Sequence, residues 1–184
     1  MNLIAEYKNI DKGFSESFFL QKITNIFYRF RVCFSDRKPE EIEAYVFPDL
    51  YNGLVDEMRT SLDKGAFLYT ERITVLDASV SGYEQRDGFD YVYATLRTRE
   101  VRYIINPDTK AYIRGNKSEQ FIDNQVVFCR ESGLQSEKPQ KMSSRNCPYC
   151  GAPSDINRIA KCEYCGRILN TDCFDWQIYS ASVH

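Results

Sequence analysis

Two cysteine pairs place the tightest constraint on what this chain of 184 residues can fold into. Cys147 and Cys150 form one Cys-x-x-Cys pair, Cys162 and Cys165 form a second, and a glycine follows each pair. Two intervening residues let one tight turn present both thiolates to a single ion, and four thiolates complete a tetrahedral zinc site with no open position. The sequence therefore predicts a structural Zn²⁺ on these four cysteines, and iron fits the same ligand set.

The other cysteines indicate a reducing compartment. The total of seven is odd, and four of the seven fall within 19 residues, a pattern typical of metal binding and not of a disulfide framework. Cys173 is surplus to a four-ligand site, whereas Cys33 and Cys129 fit small buried positions. The start of the chain, Met1–Lys8, lacks the basic and apolar regions of a secretion signal. We expect a cytoplasmic protein whose contact with a membrane, if any, is peripheral.

Helical periodicity dominates the first third of the chain. Apolar residues recur every three or four positions over residues 14–34, which predicts a helix that Ser15 could cap. A second helix is predicted from Pro39 to about Phe47, and a third from Pro48 to Leu62 with a stop near Gly65. Three helices therefore open the chain.

Strand patterns follow over residues 67–130. The alternation changes phase near Val75 and Leu76, which predicts a bulge, and residues 82–88 and 106–110 are predicted turns. A final strand is expected over residues 120–130, in an antiparallel sheet. Helices followed by strands indicate an α+β fold with helices packed on a curved sheet. The predicted boundaries are a main domain over 1–133, a polar linker over 134–146, and a zinc ribbon with a C-terminal strand over 147–184.

Charge argues against nucleic acid as the partner. The formal net charge of the chain is −2. Between Ser143 and His184 four basic residues balance four acidic ones, so four thiolates and one Zn²⁺ make the module about −2. Such a module is a poor match for a phosphate backbone.

Motifs for catalysis are missing from the sequence. The single histidine is His184, and no nucleotide-binding loop or metal-hydrolase motif is present. A curved sheet can enclose a pocket, and the residues that could line one here are Asp90, Tyr91, Tyr93, Tyr103 and Asp123. A tyrosine–aspartate pair could transfer protons if burial raised the pKa of the aspartate. Ordinary strand tyrosines and edge carboxylates account for the same residues, so the expectation is that the protein is not an enzyme.

Several segments together resemble a known family. The stretch Phe18–Phe27 is similar to the first helix of the domain shared with subunit 44 of the mitochondrial inner-membrane import translocase. The order of three helices and then strands is similar as well. Residues Cys147–Asn157 and Lys161–Gly166, followed by Asp175 and Trp176, resemble the zinc ribbon of bacterial members. The resemblance implies a cone-like fold of the nuclear transport factor 2 type, and a non-enzymatic role in protein or membrane attachment, or in transport.

Three functions remain open on these observations. The leading hypothesis is a non-catalytic protein-binding adaptor, transport- or membrane-associated, that carries a structural zinc ribbon. The alternative is a small-molecule-binding or catalytic cone that uses a pocket on the concave face of the sheet. Nucleic-acid binding through the ribbon is a third, which the charge count disfavours.

Overall fold

The computed structural model describes residues 1–136, 145–146, 152–154, 164 and 176–181. Three α-helices precede the main strands: α1 (Glu16–Ser35), α2 (Pro39–Ile42) and α3 (Pro48–Asp63). Short 3₁₀ helices span Ile4–Asn9 and Glu43–Tyr45. The strands are β1 (Phe67–Arg86), β2 (Phe89–Ile105), β3 (Tyr112–Glu131), β4 (Arg145–Asn146), β5 (Pro153–Ser154) and β6 (Gln177–Ala181). The predicted order of helices and strands is confirmed, and Ile4–Asn9 was not anticipated.

The helices begin and end close to the predicted positions. Gly65 adopts a left-handed φ of 62° just after α3, which is the conformation that stops a helix at low cost for glycine. Ser15 precedes α1 in extended backbone, but its side chain makes no capping bond to the helix. Its hydroxyl instead lies 3.1 Å from that of Ser17. The second predicted helix is split, since α2 is followed by the 3₁₀ helix Glu43–Tyr45.

One antiparallel sheet, in the order β1-β2-β3-β6, organises the described residues. The turn between β1 and β2 occupies only Asp87 and Gly88, both at positive φ, so the predicted turn over 82–88 was too wide. Strand β3 is continuous from Tyr112, and the expected start near residue 120 was therefore wrong. It remains one strand because a register shift between Glu100 and Arg102 of β2 absorbs the extra residues.

Strand β1 is the irregular member of the sheet. Its register with β2 shifts three times, between Glu71 and Thr74, between Val75 and Asp77, and between Val80 and Gly82. The second shift confirms the bulge predicted from the change of phase near Val75. The other two have no clear counterpart in the sequence pattern.

The core lies between α1 and the sheet. The apolar stripe of α1 is buried, and it reaches both ends of the sheet: Phe19 contacts Phe128 of β3, and Phe34 stacks on Phe67 of β1. Trp176, just before β6, fills the same core beside Phe19, with ring centroids 5.0 Å apart. Among the described helices, none has the length and apolar character needed to cross a bilayer.

Candidate functional site

A buried arginine near the end of β3 joins three distant parts of the chain. We call this cluster the Arg130 junction, and its members are Tyr7, Asp11, Asp90, Arg130, Ser136 and Trp176. Arg130 is 2% exposed and follows Val126 and Phe128 at the core-facing positions of β3. Its guanidinium donates to the Asp11 carboxylate at 2.5 Å and to the Tyr7 hydroxyl at 2.9 Å. Because a charge-assisted bond is strong only when its partners are fixed, the junction is a rigid point of the fold.

Asp11 is fully buried and makes four hydrogen bonds as an acceptor. Beyond Arg130, it receives the Ser136 backbone N–H at 2.9 Å, the Ser136 hydroxyl at 2.6 Å and the Gly13 N–H at 3.0 Å. Burial opposes ionisation of Asp11, but the bonds from Ser136 and Arg130 outweigh it and hold the pKa of Asp11 below its ordinary value. The carboxylate is therefore ionised at neutral pH and compensates Arg130.

Tyr7 and Asp90 form the tyrosine–aspartate pair of this protein. The Tyr7 hydroxyl donates to Asp90, which also accepts from Gln85 at 2.7 Å and from the Ser132 hydroxyl at 2.5 Å. Burial, together with the bond to Asp90, raises the pKa of Tyr7 well above its ordinary value, so the proton stays on the phenol. Both groups are enclosed and fully bonded, which suits a structural role and not proton exchange with a substrate.

The junction also holds both flanks of the segment 137–175. On one side, Arg130 donates to the Ser136 hydroxyl at 3.2 Å. On the other, its guanidinium carbon lies 4.7 Å from the centre of the Trp176 ring, a cation–π contact. Gln135 adds two bonds to the N-terminal turn, from the Lys12 N–H at 3.0 Å and to the Ile10 carbonyl at 2.9 Å. The chain on either side of the cysteine pairs is therefore anchored at the same residue.

A second buried ionic cluster lies beneath the C-terminal half of α1. Arg31 donates to Glu100 at 3.1 Å, and Arg102 forms an ion pair with the same carboxylate. Burial, opposed by Glu100, lowers the pKa of Arg31 to about 10, so Arg31 is still charged at neutral pH. Beside it, the Ser35 hydroxyl donates to the Thr70 carbonyl at 2.7 Å. These contacts attach the end of α1 to β1 and β2.

The residues predicted to line one pocket are spread over several sites. Asp90 is in the Arg130 junction, and Tyr91 packs against Tyr179 with centroids 4.9 Å apart. Tyr93 donates to Glu84, whereas Tyr103 packs between other tyrosines. Asp123 is exposed beside Arg97. The prediction of a shared pocket is therefore wrong, because strand alternation and bulges direct these side chains to different places.

Two shallow grooves follow the seam between α1 and β1. One, of about 180 Å³, is lined by Tyr28, Val32, Ser35, Asp36 and residues 70–73. The other, of about 300 Å³, is lined by Leu20, Gln21, Thr24, Asn25 and residues 75–78. Both mix polar and apolar groups, and two large apolar side chains, Tyr28 and Leu76, are exposed along them. The term "seam groove" is used below for this pair.

The predicted zinc ligands Cys147, Cys150, Cys162 and Cys165 lie outside the described residues, as does Cys173. The donor set of four thiols in two Cys-x-x-Cys pairs fits Zn²⁺ by its chemistry. Within the residues that the structure does describe, no three metal-binding side chains come together.

The predicted burial of Cys33 and Cys129 is confirmed. That burial raises the pKa of Cys33 to about 11 and that of Cys129 to about 12.

Sequence reasoning missed most members of the Arg130 junction and of the Arg31 cluster. Arg31 was placed off the apolar stripe of α1, yet it is buried. A signal did exist for two residues, since Arg130 and Glu100 occupy positions of their strands that alternate with buried apolar ones. For Tyr7 and Asp11 no pattern in the sequence points to their partners, which lie more than 80 residues away.

Comparison with known proteins follows from this geometry. Residues 1–143 match the family model described as Tim44-like domain. A solved structure with a similar chain trace is the crystal structure of the intermembrane space region of the chloroplast protein ARC6, at 12% identity and a TM-score of 0.45. That alignment covers 89% of this chain and 94% of that chain. No curated protein sequence matches the chain.

Proposed function

Because the chain belongs to the Tim44-like domain family, we propose that it is a non-catalytic protein-binding adaptor, transport- or membrane-associated, that carries a structural zinc ribbon. In this proposal the helices and sheet form a cone of the nuclear transport factor 2 type, and a protein partner binds its outside. The cysteine module over 147–184 holds the metal and contributes stability and no chemistry.

The observation that carries the proposal is the exposed seam groove. Tyr28 and Leu76 keep 45% and 48% of their surface exposed on either side of a shallow groove, in a molecule whose other large side chains along α1 and β1 are mostly covered. Large exposed side chains beside a groove are typical of binding surfaces. The groove is open to solvent, whereas a small-molecule pocket encloses most of its ligand.

The inner face of the sheet supports this choice over a ligand-binding cone. Phe19, Phe27, Phe30 and Trp176 are buried there and fill the space between α1 and the strands. Polar groups in the same region, such as Asp90 and Glu100, are occupied by internal partners. A ligand entering this face would have to displace well-packed aromatic rings, which is costly.

Binding through the seam groove can be tested with paired variants of the full chain. The partner is first captured from native extract and identified by mass spectrometry, and its affinity for the purified chain is measured by calorimetry. Tyr28→Ala/Leu76→Ser should weaken binding at least 10-fold, because the exposed contacts are lost. The control Tyr112→Ala/Ile113→Ser removes side chains of similar exposure, 47% and 46%, far from the groove, and should change affinity less than 2-fold. Equal effects of the two double variants, or no effect of either, would exclude the seam groove.

The metal has its own test. Elemental analysis of protein purified under reducing conditions should find one zinc per chain, and Cys147→Ser/Cys150→Ser should lose it because only two thiolates remain. Cys173→Ser is the matched control and should keep its metal. Iron in place of zinc would correct the identity of the ion, and the absence of any metal would refute the site.

A further inference from the structure

We propose that metal binding by the cysteine pairs strengthens the docking of β6 and Trp176 on the sheet, so that loss of metal selectively loosens this last strand. The inference rests on the zinc site proposed above and goes beyond it, since it gives the metal a conformational role in the main domain. It follows from where the flanks of the cysteine segment are held and from how β6 is attached.

Both flanks meet at one point. Ser136 bonds to Arg130 and Asp11, and Trp176 packs over the guanidinium of Arg130. Residues 137–175 therefore leave the fold and return to it at the same buried side chain. For such a segment, the docking of Trp176 closes a loop whose entropic cost depends on the length of chain between the two flanks.

Strand β6 is a lightly attached element with a large buried anchor. It has five residues and pairs with β3 at four positions, with a register shift in the middle. One further backbone bond reaches it, from the Phe47 N–H to the Ile178 carbonyl at 2.8 Å. Its stability comes mainly from Trp176 and Ile178, which are almost fully buried. Short edge elements of this kind open locally while the rest of the fold stays intact.

Metal binding shortens the loop that docking must close. The segment between the flanks has 39 residues, over 137–175, and joining Cys147 to Cys165 through one ion leaves about 20 of them outside the cross-link. With the logarithmic dependence of closure entropy on length, this favours the docked state of β6 by about 2.5-fold. Strands β1, β2 and β3 are not inside the loop, so their opening should not change.

Hydrogen exchange measured by mass spectrometry tests the inference on the full chain. Zinc-loaded protein is compared with the same protein after chelation, and with Cys147→Ser/Cys150→Ser. Amides of Gln177–Ala181 should exchange about 2.5-fold faster without metal, whereas amides of residues 92–101 in β2 should keep their rates. Chelator added to the double serine variant should have no further effect. Fluorescence of Trp176, the single tryptophan, should shift to longer wavelength if undocking becomes substantial.

The outcomes separate this inference from the zinc proposal. Zinc bound in full stoichiometry, with unchanged exchange in β6, would overturn the inference and leave the metal site intact. Equal acceleration in β6 and β2 would also overturn it, because the metal would then stabilise the whole domain. Absence of zinc by elemental analysis would refute the site itself, and with it any role in docking.

Discussion

Replacing Arg130 by methionine is the sharpest test of how this fold is held together. Arg130→Met keeps an unbranched side chain of similar length that can still pack against Trp176. It removes the positive charge that faces two buried carboxylates, with Asp11 at 2.5 Å and Asp90 at 3.9 Å. The variant therefore isolates the charge and its hydrogen bonds from the packing.

The expected loss is large because the partners stay behind. Removing one member of a buried ion pair typically costs about 3–5 kcal/mol, since the other charge is left without compensation. Against a total stability of about 5–15 kcal/mol, this is a major fraction. For a chain of this size the same loss lowers the melting temperature by about 6–20 °C. Arg130→Met should therefore be folded at 20 °C but far less stable than the parent.

Urea unfolding followed by fluorescence and circular dichroism measures this loss, and a double-mutant cycle assigns its origin. Asp11→Asn removes the carboxylate with little change in shape. If the cost of Arg130→Met reflects the stranded charge of Asp11, the double variant Asp11→Asn/Arg130→Met should be about 2 kcal/mol more stable than the sum of the two single losses predicts. A single-variant loss below about 1 kcal/mol, or strictly additive losses, would refute the reasoning.

Three further predictions concern backbone contact, pH and thiol reactivity. Gly13→Ala should destabilise by about 1–3 kcal/mol in thermal denaturation, because a Cβ there would overlap the carbonyl of the chain after β3, whereas Gly53→Ala in α3 meets nothing within 4 Å and should gain up to about 1 kcal/mol. Equal effects of the two would contradict this. The depressed pKa of Asp11 means that its contribution is present above about pH 4 and lost as pH falls further, so urea unfolding between pH 7 and pH 3 should decline less steeply in Asp11→Asn. Because burial raises the pKa of Cys33 and Cys129 to about 11 and 12, iodoacetamide at pH 8 should leave both unmodified in the native protein, and rapid labelling would place them at the surface.

Periodicity was enough to predict the helices and most of the strands. The apolar stripe of α1 and the alternation of β2 each bury one face of a regular element, and regular elements repeat in sequence as they do in space. The bulge near Val75 could also be predicted, because a bulge changes the phase of the alternation. Strand β3 was shortened in the prediction because residues 112–119 are all exposed and carry no apolar pattern.

The Arg130 junction could not be predicted in the same way. The bond between Asp11 and Arg130 joins residues 119 positions apart, and the bond between Tyr7 and Asp90 joins residues 83 apart. No local rule relates such residues, since their meeting is a consequence of the whole topology. The strand positions of Arg130 and Glu100 predict burial of a charge, but the identity of the compensating group emerges only from the fold.

The long reach of the Arg130 junction has a consequence for the newly made chain. Tyr7 is synthesised early, but its site is complete only once Trp176 has emerged, 169 residues later. At a synthesis rate of roughly 5–20 residues per second, the aromatic side chains of α1 wait about 10–30 s for that last piece of their core. During this interval Phe19 has neither Phe128 nor Trp176 to pack against. Nascent chains should therefore depend on chaperones until translation has passed Trp176.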